Sequence, residues 1–179
     1  MKVAGALLAA GSGSRFSGPT HKLLADIAGE AVVTHAARSM VNSGLSGYVL
    51  VAGASQLTPA LTEFSELAVV ENPEFEQGIA TSLSVAVDWG EAAGFDVLIV
   101  GLADQPGVLS SSWRRLSNSN APIAVANYDG RAGNPVRLEK SVWPLLPRSG
   151  DEGARVLLRT RPELVEQVAL RAHHLQASE

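Results

Sequence analysis

The sequence predicts an α/β protein, a three-layer sandwich built around a mainly parallel sheet. Three observations carry that expectation. Short apolar runs of strand length alternate with segments of helical spacing along most of the chain. The strongest runs are apolar throughout, without polar alternation, as strands covered on both faces are. The chain has 179 residues, nearly half of them apolar, which suits a single domain over residues 1–179 with a sizeable core.

The elements follow in order. Lys2 to Ala10 reads as a buried first strand. Its apolar stretch is short and runs straight into a polar glycine loop, which fits a strand better than a signal peptide. From Ala31 to Ser43, Val32, Ala36, Ala37, Met40 and Val41 share one helical face, and Asn42-Ser43-Gly44 stops the helix. Gly47 to Ala52 (GYVLVA) has strand length, Thr58 to Ser65 reads as a short helix, and Leu67 to Val70 as a strand. Gly78 to Trp89 is helical, with Ile79, Leu83, Ala86 and Val87 facing inward. Phe95 to Leu102 (FDVLIVGL) is the clearest buried strand. The predicted order closes with helix Ser110 to Ser117, strand Pro122 to Ala126, a short strand Pro135 to Leu138, helix Asp151 to Thr160 and strand Leu164 to Leu170. Trp89, Trp113 and Trp143 are scattered and read as core.

Composition narrows the function. A net charge of −4 and few aromatic residues argue against a nucleic-acid binder. Without cysteine, neither disulfides nor thiolate metal sites are possible. The histidines show no metal-ligand spacing: His35 falls in an amphipathic helix, and His173 and His174 in a polar tail. No stretch reaches the ~18 to 20 apolar residues of a membrane span. The expectation is a soluble cytoplasmic protein.

The segment LLAAGSGSRFSGPTHKLL, Leu7 to Leu24, carries Arg15, His21 and Lys22 and no acid before Asp26. In an open α/β sheet, ligands sit beyond the carboxyl ends of the strands. Gly11, Gly13 and Gly18 let the backbone turn tightly, successive N–H groups can form an anion-binding concavity, and Arg15 and Lys22 add full charges. The segment is neither a dinucleotide fingerprint, whose third glycine is replaced by Phe16, nor a Walker loop, since Lys22 precedes Leu23.

These residues resemble the signature of the MobA-like nucleotidyltransferases, and more closely that of the molybdenum cofactor cytidylyltransferases. ENPEFEQGIATSL (Glu71 to Leu83) resembles the family's Asn-Pro, Gly, Ser-Leu segment, and VGLADQPGV (Val100 to Val108) its acidic metal-binding turn. GRAGNPVRL (Gly130 to Leu138) and GDEGARVLL (Gly150 to Leu158) resemble its acceptor-side motifs. The resemblance implies a Rossmann-like nucleotidyltransferase fold, a nucleoside triphosphate, Mg²⁺ and a phosphorylated acceptor. The Ala-Ala-Gly form of the first motif is similar to the pyrimidine-using branch, which favours CTP over GTP. Three features depart from the family pattern: a longer loop between Arg15 and Lys22, Ala103 where a glycine often precedes the acid, and Asn134 where the cytidylyl branch usually has His. The last leaves the acceptor open.

What the resemblance implies for single residues extends their chemistry. The nucleotide would lie against Ala9, Ala10, Gly11, Ser12, Gly13, Ser14 and Arg15, with the β- and γ-phosphates in the cradle from Gly11 to Arg15. Lys22 would neutralise charge near the α-phosphate, and Asp104 would hold the metal. Gly78, Thr81 and Ser82 open a helix whose N–H groups and hydroxyls suit a base or ribose, or form an ordinary first turn. Asn72 reads as a base contact or as a turn starter before Pro73. Arg131, Gly133, Asn134, Asp151 and Arg155 would meet the acceptor, Asp151 serving alternatively as a second metal ligand or as the N-cap of a helix starting at Glu152 or Gly153.

The implied reaction moves CMP from CTP to molybdopterin or a similar phosphorylated acceptor, with a molybdoenzyme as possible recipient of the product. The same fold with GTP or another acceptor, and a nucleotide-binding protein without transfer activity, are the alternatives. A nicotinamide-dependent oxidoreductase is disfavoured by the incomplete glycine pattern.

Overall fold

A computed structural model describes residues 1–11, 21–53 and 56–171. Ser12, Gly13, Ser14 and Arg15 of the glycine loop, and the tail with His173 and His174, lie outside the described residues.

The strands are β1 (Val3–Ala9), β2 (Asp26–Ile27), β3 (Glu30–Ala31), β4 (Gly47–Ala52), β5 (Leu67–Glu71), β6 (Val97–Leu102), β7 (Ile123–Tyr128), β8 (Arg131–Glu139) and β9 (Val165–Ala169). The α-helices are α1 (Val32–Val41), α2 (Ile79–Ala92), α3 (Ser110–Ser117) and α4 (Arg155–Thr160). Seven strands form one sheet in the order β5-β4-β1-β6-β8-β7-β9, and β2 and β3 form a separate two-residue hairpin. All neighbours in the large sheet are parallel except around β8, which runs antiparallel to both β6 and β7.

Alternate residues of the central strands feed two apolar layers. Leu7 and Ala9 of β1, Leu50 of β4 and Ile99 of β6 join the layer with Val33, Ala37 and Met40 of α1 and Trp113 of α3. Ala4, Ala6 and Leu8, with Val49, Val51, Leu98 and Val100, join the opposite layer with Leu83, Ala86 and Val87 of α2, Trp143 and Leu157 of α4. Both faces are therefore covered, which is why these strands read as continuous apolar runs. The result is the three-layer, mainly parallel sandwich that the alternation predicts. Trp89 packs on Phe95 with ring centroids 5.2 Å apart. Among the described residues, no helix is long and apolar enough to cross a membrane.

Three predicted elements need correction. The segment Thr58 to Ser65 holds only the 3₁₀ turn Thr58–Ala60. The Ala60 carbonyl accepts from the Thr34 hydroxyl at 2.8 Å, and the Phe64 N–H turns to the Leu61 carbonyl at 3.1 Å, so the α-helical pattern is not propagated. The short strand Pro135 to Leu138 is the inner half of a longer strand, β8, which pairs with β7 through a hairpin at Asp129 and Gly130. Both turn residues have positive φ (53° and 86°), the geometry that Asp-Gly favours in two-residue hairpins. The helix from Asp151 to Thr160 begins only at Arg155, because Gly153 sits at φ +54°. Asp151 is consequently not its N-cap.

Gly101 of β6 shows how tightly one layer is closed. A Cβ there would lie 2.7 Å from Cη2 and 3.0 Å from Cζ2 of Trp113, itself only 1% exposed. Gly101→Ala is expected to lower unfolding free energy by about 1–3 kcal/mol, the usual cost of overpacking, in a urea titration. A stability equal to that of the natural protein would show that the indole can yield.

Candidate active site

The site grows from the adjacency of β1 and β6. Their register pairs Leu8 with Leu102, and the Ala103 N–H donates to the Leu8 carbonyl at 3.1 Å. The chain beyond β1 (Ala10, Gly11) and the chain beyond β6 (Ala103, Asp104) thus leave the sheet side by side at its carboxyl edge. Ala9 and Ala10 are 3% and 5% exposed, so they present backbone rather than side chain.

Lys22 returns to this edge after the glycine loop. Its 3₁₀ turn, Lys22–Leu24, is anchored by the buried Leu23. His21 clasps the turn from the other side. Its Nδ1 accepts from the Leu23 N–H at 3.2 Å and its Nε2 lies 3.1 Å from the Gly11 carbonyl, so the neutral ring with the proton on Nε2 satisfies both contacts. Lys22 Nζ then donates to Asp104 Oδ2 at 2.7 Å, with the two side chains 42% and 37% exposed. A pair this exposed contributes little to stability. Its significance is positional: a cation and a carboxylate 82 residues apart meet on one rim.

Two cavities open at this rim. The smaller, about 170 Å³, is lined by Ala9, Ala10, Gly11, Lys22, Ser82 and Asp104 among others. The larger, about 530 Å³, shares Leu8, Ile79 and Leu102 with it. Its floor is aliphatic, with Leu83, Val100, Val125 and Val136, and Gly133, Asn134, Asp151 and Arg155 stand in its wall. Arg131 lines neither cavity and lies exposed just past the Asp129–Gly130 turn. Glu152 and Arg159, which sequence reasoning passed over, also line the larger cavity. They form a two-pronged pair at 2.8 and 3.1 Å, and the Arg159 guanidinium holds the Glu152 carboxyl below its ordinary pKa. The i, i+4 spacing of Arg155 and Arg159 on α4 was the available signal.

Asn134 owes its place to an irregularity. Val125 pairs with Val136 but Ala126 pairs with Gly133, so Asn134 and Pro135 form an unpaired swelling of β8. The Tyr128 hydroxyl donates to the Asn134 carbonyl at 2.6 Å. Burial raises the pKa of that phenol, which keeps its proton in place as a donor.

The segment between β5 and α2 is a support rather than an open surface. Asn72 is 2% exposed, and its amide donates to the hydroxyls of Thr81 and Ser82, both at 2.9 Å. Its Oδ1 accepts from the Glu74 N–H at 3.0 Å. Both amide protons are used, so in this conformation Asn72 has no N–H left to offer a base. Thr81, 4% exposed, faces the Gly78 carbonyl at 2.7 Å. Ser82 alone of the three lines the smaller cavity, and it accepts from Asn72 while donating to no described residue. Nor are the N–H groups at the start of α2 all free, since that of Ala80 donates to the Gly150 carbonyl at 3.0 Å. Gly78, at φ +105°, allows this docking: a Cβ there would lie 2.3 Å from the Gly150 oxygen.

The donor set suits a divalent hard cation that takes most of its ligands elsewhere. Among the described residues no three acidic, histidine or cysteine side chains converge. Asp104 is the carboxylate of the smaller cavity. Mg²⁺ is commonly held in this way, by one or two carboxylates together with substrate phosphates and water.

Comparison with known proteins bears on what the rim does. Residues 5–168 match the family model described as a MobA-like NTP transferase domain. Over 181 aligned residues the chain is 34% identical to nicotine blue oxidoreductase of Paenarthrobacter nicotinovorans, covering 93% of this chain and 86% of that one. It is 37% identical over 131 residues to the bifunctional protein GlmU of Sphingopyxis alaskensis, covering 69% of this chain but only 28% of that longer protein. Among solved structures, Rv0371c from Mycobacterium tuberculosis H37Rv superposes with a TM-score of 0.77 at 24% identity, over 95% of this chain and 88% of its own. Rv0371c is also known in complex with manganese, at a TM-score of 0.76. The inositol-1-phosphate CTP transferase from T. maritima superposes at 0.69 and 19% identity, over 96% of this chain and 86% of its own. At these identities the solved structures establish the fold.

The Gly78–Gly150 joint yields a direct expectation. Gly78→Ala would place a Cβ against backbone at a φ that L residues rarely adopt, and the cost is expected to reach ~2–3 kcal/mol in denaturant unfolding. Gly150→Ala, at φ +96° with open space around its Cβ, is expected to cost less. Equal costs would contradict the close approach.

Proposed function

The chain belongs to the MobA-like NTP transferase family, and from that premise we propose that it moves CMP from CTP onto a phosphorylated acceptor, molybdopterin being the acceptor its motifs favour. By family and fold it is a nucleotidyltransferase. The observation that carries the finer reading is the Lys22–Asp104 pair in the wall of the smaller of two adjoining cavities, the larger of which has an aliphatic floor.

In this reading the triphosphate lies over Ala9, Ala10 and Gly11, with Ser12 to Arg15 as the remainder of its cradle, and the acceptor occupies the larger cavity. A phosphate oxygen of the acceptor attacks the α-phosphorus, the bond from that phosphorus to the bridging oxygen breaks, and pyrophosphate leaves. No protein nucleophile is needed. Lys22 is placed to offset charge that builds on the α-phosphate, a preorganised electrostatic contribution. Asp104 would hold a divalent metal, Mg²⁺ by expectation, which when bound neutralises phosphate charge. Ser82, in the wall of the smaller cavity, would donate a hydrogen bond to the nucleotide, and Arg155, in the wall of the larger one, would meet the acceptor's anionic group. Holding two anions in register is the larger part of the task. We place the reaction in the cytoplasm, and a molybdoenzyme would receive the product if molybdopterin is the acceptor.

A second reading rests on one finding, the relative named as an oxidoreductase. There the two cavities would take a nucleotide cofactor and a redox substrate.

One assay separates the readings. The protein is incubated with Mg²⁺, molybdopterin and each nucleoside triphosphate, and pyrophosphate is measured. Release with CTP is expected, reduced ~10²–10³-fold in Asp104→Ala and in Lys22→Ala, the usual loss when one preorganised charge is removed. Release with GTP alone would reverse the base preference. Absence of release, together with oxidation of added NADH when an electron-accepting quinonoid dye is supplied and reduced, would favour the redox reading.

A further inference from the structure

We propose that Lys22 is a placeholder cation: in the free protein it occupies the Asp104 carboxylate, so that a divalent metal gains this site only when a polyphosphate draws the lysine away. The inference rests on the proposed use of the rim for a triphosphate, and adds an order of loading and a coupling that the reading does not require.

The contact distance, 2.7 Å from Nζ to Oδ2, is that of a charge-assisted hydrogen bond. An ammonium so placed competes for Oδ2, and its charge repels a cation approaching either oxygen of the carboxylate. Asp104 is the carboxylate that lines the smaller cavity. Asp151 and Glu152 line the larger cavity instead of the smaller one, and Glu152 is already held by Arg159. A metal arriving alone would therefore meet one acid with a cation on it. A triphosphate changes both partners together, since its oxygens offer Lys22 an alternative anion and supply the metal with further ligands. The geometry permits the exchange. The backbone around Lys22 is fixed by Leu23 and the His21 clasp, whereas its four-carbon stem is 42% exposed and free to swing. Because coupling between ligands is reciprocal, a metal that favours the triphosphate is favoured by it to the same degree.

The test is Mn²⁺ binding to the full chain without nucleotide, followed by the spin-resonance signal of free Mn²⁺. Lys22→Met is expected to tighten Mn²⁺ binding by about tenfold, the order of effect of removing one adjacent positive charge in a half-exposed setting. Asp104→Asn added to Lys22→Met is expected to abolish the gain, and Lys22→Arg, which keeps the cation, to bind Mn²⁺ as the natural protein does. Lys22→Gln serves as a second neutral variant should Lys22→Met fold poorly. Unchanged or weaker binding in the neutral variants would overturn the proposal, as would a gain that survives Asp104→Asn. CTP binding measured with Mg²⁺ present stands apart from this comparison. Its absence would defeat the triphosphate reading, while the nucleotide-free Mn²⁺ affinities would still decide whether Lys22 blocks the carboxylate.

Discussion

The parallel pairing of β1 with β6 is the constraint on which the rest of the structure depends. It brings Gly11 and Asp104, more than ninety positions apart in sequence, to one edge of the sheet. Parallel strands demand long crossovers, and here those crossovers carry the layers that bury both faces. They also return the chain to the same edge repeatedly, at Lys22, at Ser82 and at Gly150. A chemistry that must hold two anions and a cation together is assembled by topology before any single side chain is considered.

The start of α2 then joins the two cavities mechanically. Asn72 ties the loop after β5 to Thr81 and Ser82, and the Gly78–Gly150 contact ties the helix to the segment that lines the larger cavity. Ile79 lies in the wall of both. A displacement of this one turn would be felt on the nucleotide side and on the acceptor side at once. The ion pair between Lys22 and Asp104 belongs to a different class of interaction. It is exposed, contributes little to folding, and is therefore free to exchange partners.

Much of this was legible in the sequence because it is local. The apolar run of β6 ending in an acid, and the glycine segment after β1, announce themselves by composition, and their position at strand ends follows from the α/β pattern. The long strand β8 was hidden by its swelling. Asn134-Pro135 interrupts the apolar pattern, and Pro inside a run argues against a strand unless a bulge accommodates it. Asn72 was ambiguous because an Asn-Pro pair serves equally as a turn and as a binding group, and only the packing of α2 shows its amide turned inward. The role of Gly78 could not be read at all, since the backbone it admits comes from more than seventy residues away. Arg131 differs from Gly133 and Asn134 of the same motif: it lines neither cavity and lies exposed just past the Asp129–Gly130 turn.

The central claim is that the rim formed by β1 and β6 receives a magnesium-bound triphosphate. The most direct measurement is a titration of the isotope-labelled protein with CTP and Mg²⁺, following backbone amide shifts. The account predicts that the largest changes fall on Ala10, Gly11, Lys22, Ser82 and Asp104, while the outer strands β5 and β9 stay still. Changes concentrated away from this rim, or none at saturating nucleotide, would contradict it.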